Sequence, residues 1–217
     1  MALKHNIADI RINYSKQALT EESVSSNALD QFQSWLEEAI QAQADEATAM
    51  VLSTVNDEGK PSARVVLLKG VSETGLLFYT NYSSRKGQEL AQNPYAALTF
   101  FWPVLERQVR IEGVVVKVAP QLSDEYYHSR PKGSQIGAWA SPQSQEIESR
   151  ELLEERDKQF TEQFAALDEI PRPEHWGGYE LQPERVEFWQ GRPNRLHDRI
   201  VFELLDNSNW QIKRLAP

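Results

Sequence analysis

TAMVLSTVNDEGKPSARVVLL, residues 48–68, is two β-branched runs on either side of a turn. Asn56-Asp57-Glu58-Gly59 has the composition of a four-residue hairpin connection, with Gly59 where the backbone needs positive φ. Thr48–Val55 and Ala63–Leu68 are therefore expected to be strands. A break around Ser72–Gly75 leads to a third strand, Leu76–Thr80, and then to a short helix at about Ser84–Gln92. Asn93-Pro94 restarts extended structure at Tyr95–Trp102. Gln108–Val118 is the longest run, with Val109, Ile111, Val114 and Val116 apolar and Gly113 expected as a bulge or bend. Connections too short for a crossover helix join most of these five strands, which predicts an antiparallel meander. Closing it into a barrel removes exposed edges.

Before this section, residues 1–27 are polar, a terminal segment expected to be mobile unless something ties it down. Residues 28–217 read as one domain. Asn27 is placed as N-cap, with Asp30 three residues on, for a helix from Ala28 to about Gln43. Leu29, Phe32, Leu36 and Ile40 form its apolar stripe, with Gln31, Glu38 and Gln41 opposite. After the barrel section, Pro120–Ser129 reads as a helix, and Ser144–Ala166 as a longer, acidic one on the surface. Gly178–Gln190, Ile200–Leu205 and Trp210–Arg214 read as closing strands. The fold class is mainly β with peripheral helices, α+β.

Apolar residues make up 40 % of the 217 and charged residues 25 %, enough for one good core. Cysteine is absent, which excludes disulfides, thiolate metal sites and cysteine nucleophiles together. The four histidines form no i,i+4 pair, so no metal site is expected. No apolar run reaches the ~18 residues that span a bilayer, and no signal-peptide core is legible, so a cytoplasmic protein is expected. The net charge of −9 argues against nucleic-acid binding.

The acid excess is uneven. Residues 64–110 hold six cations (Arg64, Lys69, Arg85, Lys86, Arg107, Arg110) against three acids. An acidic protein that concentrates cations there is collecting small anions, or forming ordinary surface ion pairs. Ser84 as N-cap, followed by Arg85 and Lys86, offers helix N–H groups and two cations to a phosphate. In a second cluster, Tyr126 and Arg130 share a helix face, with Ser134 just past the Pro131 break. Those three groups suit a second phosphate, or are the basic end of a helix. In a third, Arg195, His197 and Arg199 alternate, so on an extended strand they would project from one side toward a site.

These residues stand in a familiar order. Arg64-Val65-Val66-Leu67-Leu68-Lys69, Phe78-Tyr79-Thr80-Asn81, Ser84-Arg85-Lys86 and Glu106-Arg107-Gln108-Val109 resemble the pyridoxine/pyridoxamine 5'-phosphate oxidases. So do His128-Ser129-Arg130-Pro131, Ser134-Gln135-Ile136-Gly137-Ala138-Trp139, Phe188-Trp189-Gln190-Gly191, and the ending from Arg195-Leu196-His197-Asp198-Arg199 to Arg214-Leu215-Ala216-Pro217. The resemblance runs from about Arg11 to the last residue. It implies a split β-barrel homodimer that binds FMN at the subunit interface. It also implies oxidation of pyridoxine or pyridoxamine 5'-phosphate to pyridoxal 5'-phosphate, with dioxygen reduced to hydrogen peroxide.

Carried onto matching positions, the flavin phosphate is held by Arg64, Arg85 and Lys86 with Ser84 beside them. Val65, Val66, Leu67, Leu68 and Lys69 run alongside the flavin, as do Tyr79 and Thr80. Gln108, Gln143, Ser144, Trp189 and Arg199 supply further flavin contacts, some from the partner subunit. Lys69, Tyr126, Arg130 and Ser134 take the substrate phosphate. Arg195 and His197 lie over the substrate ring as the catalytic pair, and Arg11 and Tyr14 match an Arg-x-x-Tyr that folds over substrate as a lid. One departure is Glu46-Ala47, where the family has Asp-Pro ahead of the Thr-Ala-Met strand. The competing readings are a split-barrel flavin reductase or haem-handling protein and a non-catalytic carrier of flavin or vitamin B6 phosphate.

Overall fold

The computed structural model describes residues 12–206 and 209–217. Among them are nine strands: β1 (Ala49–Val55), β2 (Pro61–Leu67), β3 (Gly70–Val71), β4 (Leu76–Asn81), β5 (Tyr95–Trp102), β6 (Arg107–Lys117), β7 (Trp176–Gln190), β8 (Asp198–Asp206) and β9 (Asn209–Leu215). Five α-helices accompany them: α1 (Ala28–Gln41), α2 (Arg85–Gln92), α3 (Pro120–Ser129), α4 (Lys132–Ala140) and α5 (Arg150–Gln163). No helix among the described residues is long and apolar enough to cross a membrane. The chain divides into two compact units, Met1–Ala47, Thr99–Ile111 and Arg185–Pro217 in one, Thr48–Leu98 and Glu112–Glu184 in the other.

The second unit contains the hairpin. β1 and β2 pair antiparallel from Ala49↔Leu67 to Val55↔Pro61. The Asn56 carboxamide accepts from the Glu58 and Lys60 N–H groups at 3.1 and 2.8 Å, and Gly59 closes the turn at φ 77°. This turn is built from its own side chain, which is why it was legible locally.

The meander is not what forms. Strand order is β2-β1-β5-β6-β7-β4-β3, with β8 on β7 and β9 on β8. β4 thus pairs with β7, from Leu76↔Leu181 to Asn81↔Trp176, instead of with β5. The reason lies in Gly177 and Gly178. A Cβ on Gly177 would lie 2.2 Å from the Tyr82 hydroxyl, and one on Gly178 2.7 Å from the Tyr79 ring. Two bare backbone positions in β7 make room for the aromatic rings carried by β4 and the turn after it. Gly113 is likewise a point of close approach, since a Cβ there would meet the Gln182 carbonyl at 2.0 Å.

Two helix assignments also change. The long acidic helix begins at Arg150, because Ser144 adopts left-handed backbone (φ 69°) and Ser149 is extended. It has no buried residue, as its surface composition implies. α4 was not anticipated, since Gly133 and Gly137 depress helix propensity and it displays no long apolar stripe. It is held by packing: Ile136 joins Tyr127, Phe164, Ile170 and Trp176 in one cluster.

In the first unit, α1 starts at Asn27, whose side chain accepts from the Leu29 and Asp30 N–H groups at 2.8 and 3.3 Å. Its buried face is Leu29, Phe32, Trp35 and Ala39, one step round from the expected stripe, and Ile40 is 55 % exposed. Trp35 takes the place of Leu36, packing edge-on against Phe188 at 5.2 Å. Gln31 is buried as well, accepting from the Ser25 N–H at 2.8 Å. Asn27→Ala should cost about 1 kcal/mol, read as a lower urea midpoint with an unchanged slope.

Carboxylates hold the start of the chain here. Glu106 accepts from the Ser15 and Lys16 N–H groups at 2.8 and 3.0 Å, and Asp198 from the Leu19 N–H at 3.0 Å. Arg214 then binds the Leu19 carbonyl, Glu21 and Asp198.

Candidate active site

β2, β4, α2 and α3 of the second unit surround a cavity of about 740 Å³. Arg64, Arg85 and Lys86 line it together. Ser84 caps α2, accepting from the Gly87 N–H, and is itself wholly buried. Its hydroxyl stands behind Lys86, accepting from the ammonium at 3.0 Å. The Lys86 ammonium also donates to Thr80 Oγ1 at 3.0 Å and to Gln143 Oε1 at 2.8 Å. All three partners are neutral. Burial, with the nearby Arg64 charge, pushes Lys86 down to about 8.

Arg64 donates to the Leu52 carbonyl at 3.1 Å and Thr54 Oγ1 at 2.6 Å, and lies 3.4 Å from Glu89. The Nε of Arg85 donates to Glu89 at 2.9 Å, and its terminal nitrogens have no hydrogen-bond partner among the described residues.

A second cationic group lines the same cavity. Tyr79 and Tyr126 stack at 3.9 Å between centroids, and Trp176 lies nearly parallel to both. The Arg130 guanidinium sits 4.6 Å over the Trp176 ring. Its Nη1 is buried and has no hydrogen-bond partner. A buried donor left unpaired costs free energy of about 1–3 kcal/mol, which an arriving acceptor recovers.

Val65, Val66, Leu67, Lys69, Thr80, Gln143 and Ser144 complete the lining. Leu68 turns into the core at 4 % exposure and does not line the cavity. Ser134, exposed in the first turn of α4, does not line it either.

The first unit has its own cavity of about 620 Å³, lined by Ile12, Asn13, Tyr14, Arg192, Asn194, Arg195 and His197. The simple alternation expected of Arg195, His197 and Arg199 does not occur. Pro193–Arg195 is a 3₁₀ turn with Asn194 and Arg195 left-handed at φ 58° and 61°, and β8 begins only at Asp198. Pro193 fixes its own φ, and the two left-handed residues after it reverse the chain. Arg195 and His197 consequently face the cavity, whereas Arg199 is forked onto the buried Glu187 by two bonds of 2.9 Å.

The Arg192 N–H donates to His197 Nδ1 at 3.1 Å, which leaves the proton of the neutral ring on Nε2. Burial, then the Arg195 charge, holds His197 below its ordinary value. Trp189 lies 4.5 Å from the His197 ring, with Tyr14 edge-on to both. Gln108 is half-buried on β6 and lines neither cavity, nor does the exposed Glu46 (φ 44°). Arg11 lies outside the described residues.

Two residues escaped the sequence reading. Glu89 is only one of the three acids counted between residues 64 and 110, though its i,i+4 spacing from Arg85 is a signal for the pair. Nothing in the spacing around Trp176 signals that a guanidinium rests on its ring.

The family model described as pyridoxamine 5'-phosphate oxidase matches residues 36–190. That described as the pyridoxine 5'-phosphate oxidase C-terminal dimerisation region matches residues 176–217. A pyridoxine/pyridoxamine 5'-phosphate oxidase 1 of Ralstonia nicotianae is 55 % identical over 98 % of this chain and 99 % of its own. A pyridoxine/pyridoxamine 5'-phosphate oxidase of Chromobacterium violaceum is also 55 % identical, with the same coverage. Among solved structures, PhzG of Burkholderia lata in complex with tetrahydrophenazine-1-carboxylic acid superimposes with a TM-score of 0.86. Its identity is 29 %, over 94 % of this chain and all of that one. The fold is accordingly the α+β, antiparallel split β-barrel with peripheral helices. With 155 consecutive residues inside the first family model and near-complete relatives at 55 % identity, the chain belongs to the pyridoxamine 5'-phosphate oxidase family.

Proposed function

We propose that the protein is a homodimeric, FMN-dependent oxidase that converts pyridoxine 5'-phosphate or pyridoxamine 5'-phosphate to pyridoxal 5'-phosphate. One observation carries the reading: a single cavity is lined by two groups of cations and, among the described residues, by no carboxylate. Lys86 has only neutral partners, and Arg130 keeps a buried, unpaired nitrogen. Two phosphates, one on the cofactor and one on the substrate, match two such groups.

The residues present fit FMN. Arg64, Arg85 and Lys86 would hold its phosphate, with Ser84 and Gln143 positioning Lys86. Val65, Val66, Leu67, Tyr79, Thr80 and Ser144 would line its ring system, while Gln108, Trp189 and Arg199 supply further contacts, some from the partner subunit. FMN, when bound, supplies the redox chemistry, accepting a hydride equivalent from the substrate and passing electrons to dioxygen. The chain's own residues bind and orient. Arg130, stacked on Trp176, with Tyr126 and Lys69, would take the substrate phosphate. Arg195 would stabilise charge at the reacting end of the substrate, and the Nε2–H of His197 would donate to the ring or move a proton there. Tyr14, packed on Trp189 and His197, would cover bound substrate. A cytoplasmic location goes with this reading and with the absence of cysteine.

The test is anaerobic. Pyridoxine 5'-phosphate added without oxygen to the FMN-loaded protein should bleach the oxidised-flavin absorbance. Admitting air should restore the colour and form hydrogen peroxide and pyridoxal 5'-phosphate. Persistent colour despite ligand binding would reject the oxidase in favour of a carrier.

A further inference from the structure

Behind the cations of the larger cavity lies a carboxylate that does not line it. Glu89, on α2, is 4 % exposed. One oxygen accepts from Arg85 Nε at 2.9 Å. The other accepts from Ser62 Oγ at 2.6 Å and from Thr54 Oγ1, and stands 3.4 Å from Arg64 Nη2. Burial alone would push this carboxyl up, but the hydroxyls of Ser62 and Thr54 and the Arg85 guanidinium hold it at about 2. It is therefore a fixed negative charge at neutral pH.

We propose that Glu89 is a positioning residue for the phosphate pocket: its oxygens hold Arg64 and Arg85 at the cavity, and its charge matches the pocket to a phosphate dianion. The proposal rests on the reading that this pocket takes the phosphate of FMN. The geometry gives two reasons. Engaging Arg85 through Nε leaves both terminal nitrogens for a bidentate grip on an anion. Three cations and one carboxylate leave two net positive charges, and a phosphate monoester carries about −1.5 to −2 at neutral pH. Arg85 is otherwise a surface side chain, 63 % exposed, with nothing else among the described residues to hold its direction.

The opposite expectation follows if Glu89 merely repels anions or only clamps α2 to the hairpin. Affinities of the full-length protein for FMN and for riboflavin, which lacks the phosphate, separate these cases. Glu89→Gln keeps the shape and removes the charge. FMN binding should weaken about tenfold or more, with riboflavin binding unchanged, so that discrimination between the two falls by the same factor. Unchanged or tighter FMN binding overturns the proposal, and so does an equal loss for both ligands, the mark of a structural clamp. Should Glu89→Gln fail to fold, Glu89→Asp keeps the charge but withdraws it by one methylene. It should lose part of the discrimination, and full retention overturns the proposal. A wild-type protein with no preference for FMN over riboflavin would sink the phosphate-pocket reading and this proposal with it. A wild-type preference that persists in the variants sinks the proposal alone.

Discussion

FMN binding should weaken by about tenfold per pH unit above about pH 8, and Lys86→Met should abolish that dependence. Burial and the adjacent Arg64 lower the Lys86 ammonium to about 8, and Thr80, Ser84 and Gln143 offer it no compensating charge. An incoming phosphate stabilises the protonated form. Below pH 8 Lys86 is already charged and binding takes up no proton. Above pH 8 each binding event must recruit one, and the dissociation constant rises until the pH passes the pKa of the bound state. The phosphate becomes fully dianionic above its own second pKa of about 6, so affinity is greatest between those limits.

The same group acts oppositely on the apoprotein. Its folded pKa lies below the unfolded value of about 10.4, so between the two the unfolded chain binds more protons. The contribution of Lys86 to apoprotein stability therefore rises with pH across that window while cofactor affinity falls. Fluorescence titrations of FMN across the range, with calorimetry in two buffers to count protons, read both trends. At pH 7, Lys86→Met should cost about ten- to a hundred-fold in affinity, since charge-assisted hydrogen bonds contribute about 1.5–3 kcal/mol. A flat wild-type profile, or an equal slope in the variant, would show that Lys86 does not meet the phosphate.

Arg195→Ala should retain FMN and lose about 10²–10³-fold in turnover, the loss typical of removing one preorganised electrostatic group. Holding Arg195 and Asn194 in left-handed backbone costs the fold free energy, on the order of 1–3 kcal/mol each. That cost is consistent with a residue placed for the reaction rather than for stability. The variant should also move the acid limb of the pH–rate profile. Burial, then Arg195, lowers the His197 pKa, so removing the guanidinium lets that pKa rise toward its ordinary value. The limb then shifts to higher pH. Stopped-flow reduction of the FMN-loaded variant, set beside its FMN affinity, separates slow chemistry from lost cofactor. Equal loss of flavin in Arg195→Ala and Arg85→Ala would mean that the two clusters are not assigned to different ligands.

The sequence by itself determined whatever is decided within a few residues. The Asn56–Gly59 turn and the Asn27 and Ser84 caps follow from side chains bonding to neighbouring backbone, and the span of α3 from Pro120 at its first position and Pro131 just past its end. The ordered cations between Arg64 and Arg199 were legible for a related reason: an anion pocket in an acidic chain requires charge that the composition does not otherwise supply. Tertiary structure decided the rest, because each remaining choice depended on a partner far along the chain. β4 chose β7, about a hundred residues away, where two glycines leave space for its rings. Arg199 turned to the buried Glu187, and Arg130 found Trp176. Glu89 became the keeper of the phosphate cations only once α2 had packed against β1 and β2. Periodicity can assign a side chain to a face, but which groups that face meets is settled by long-range pairing and burial.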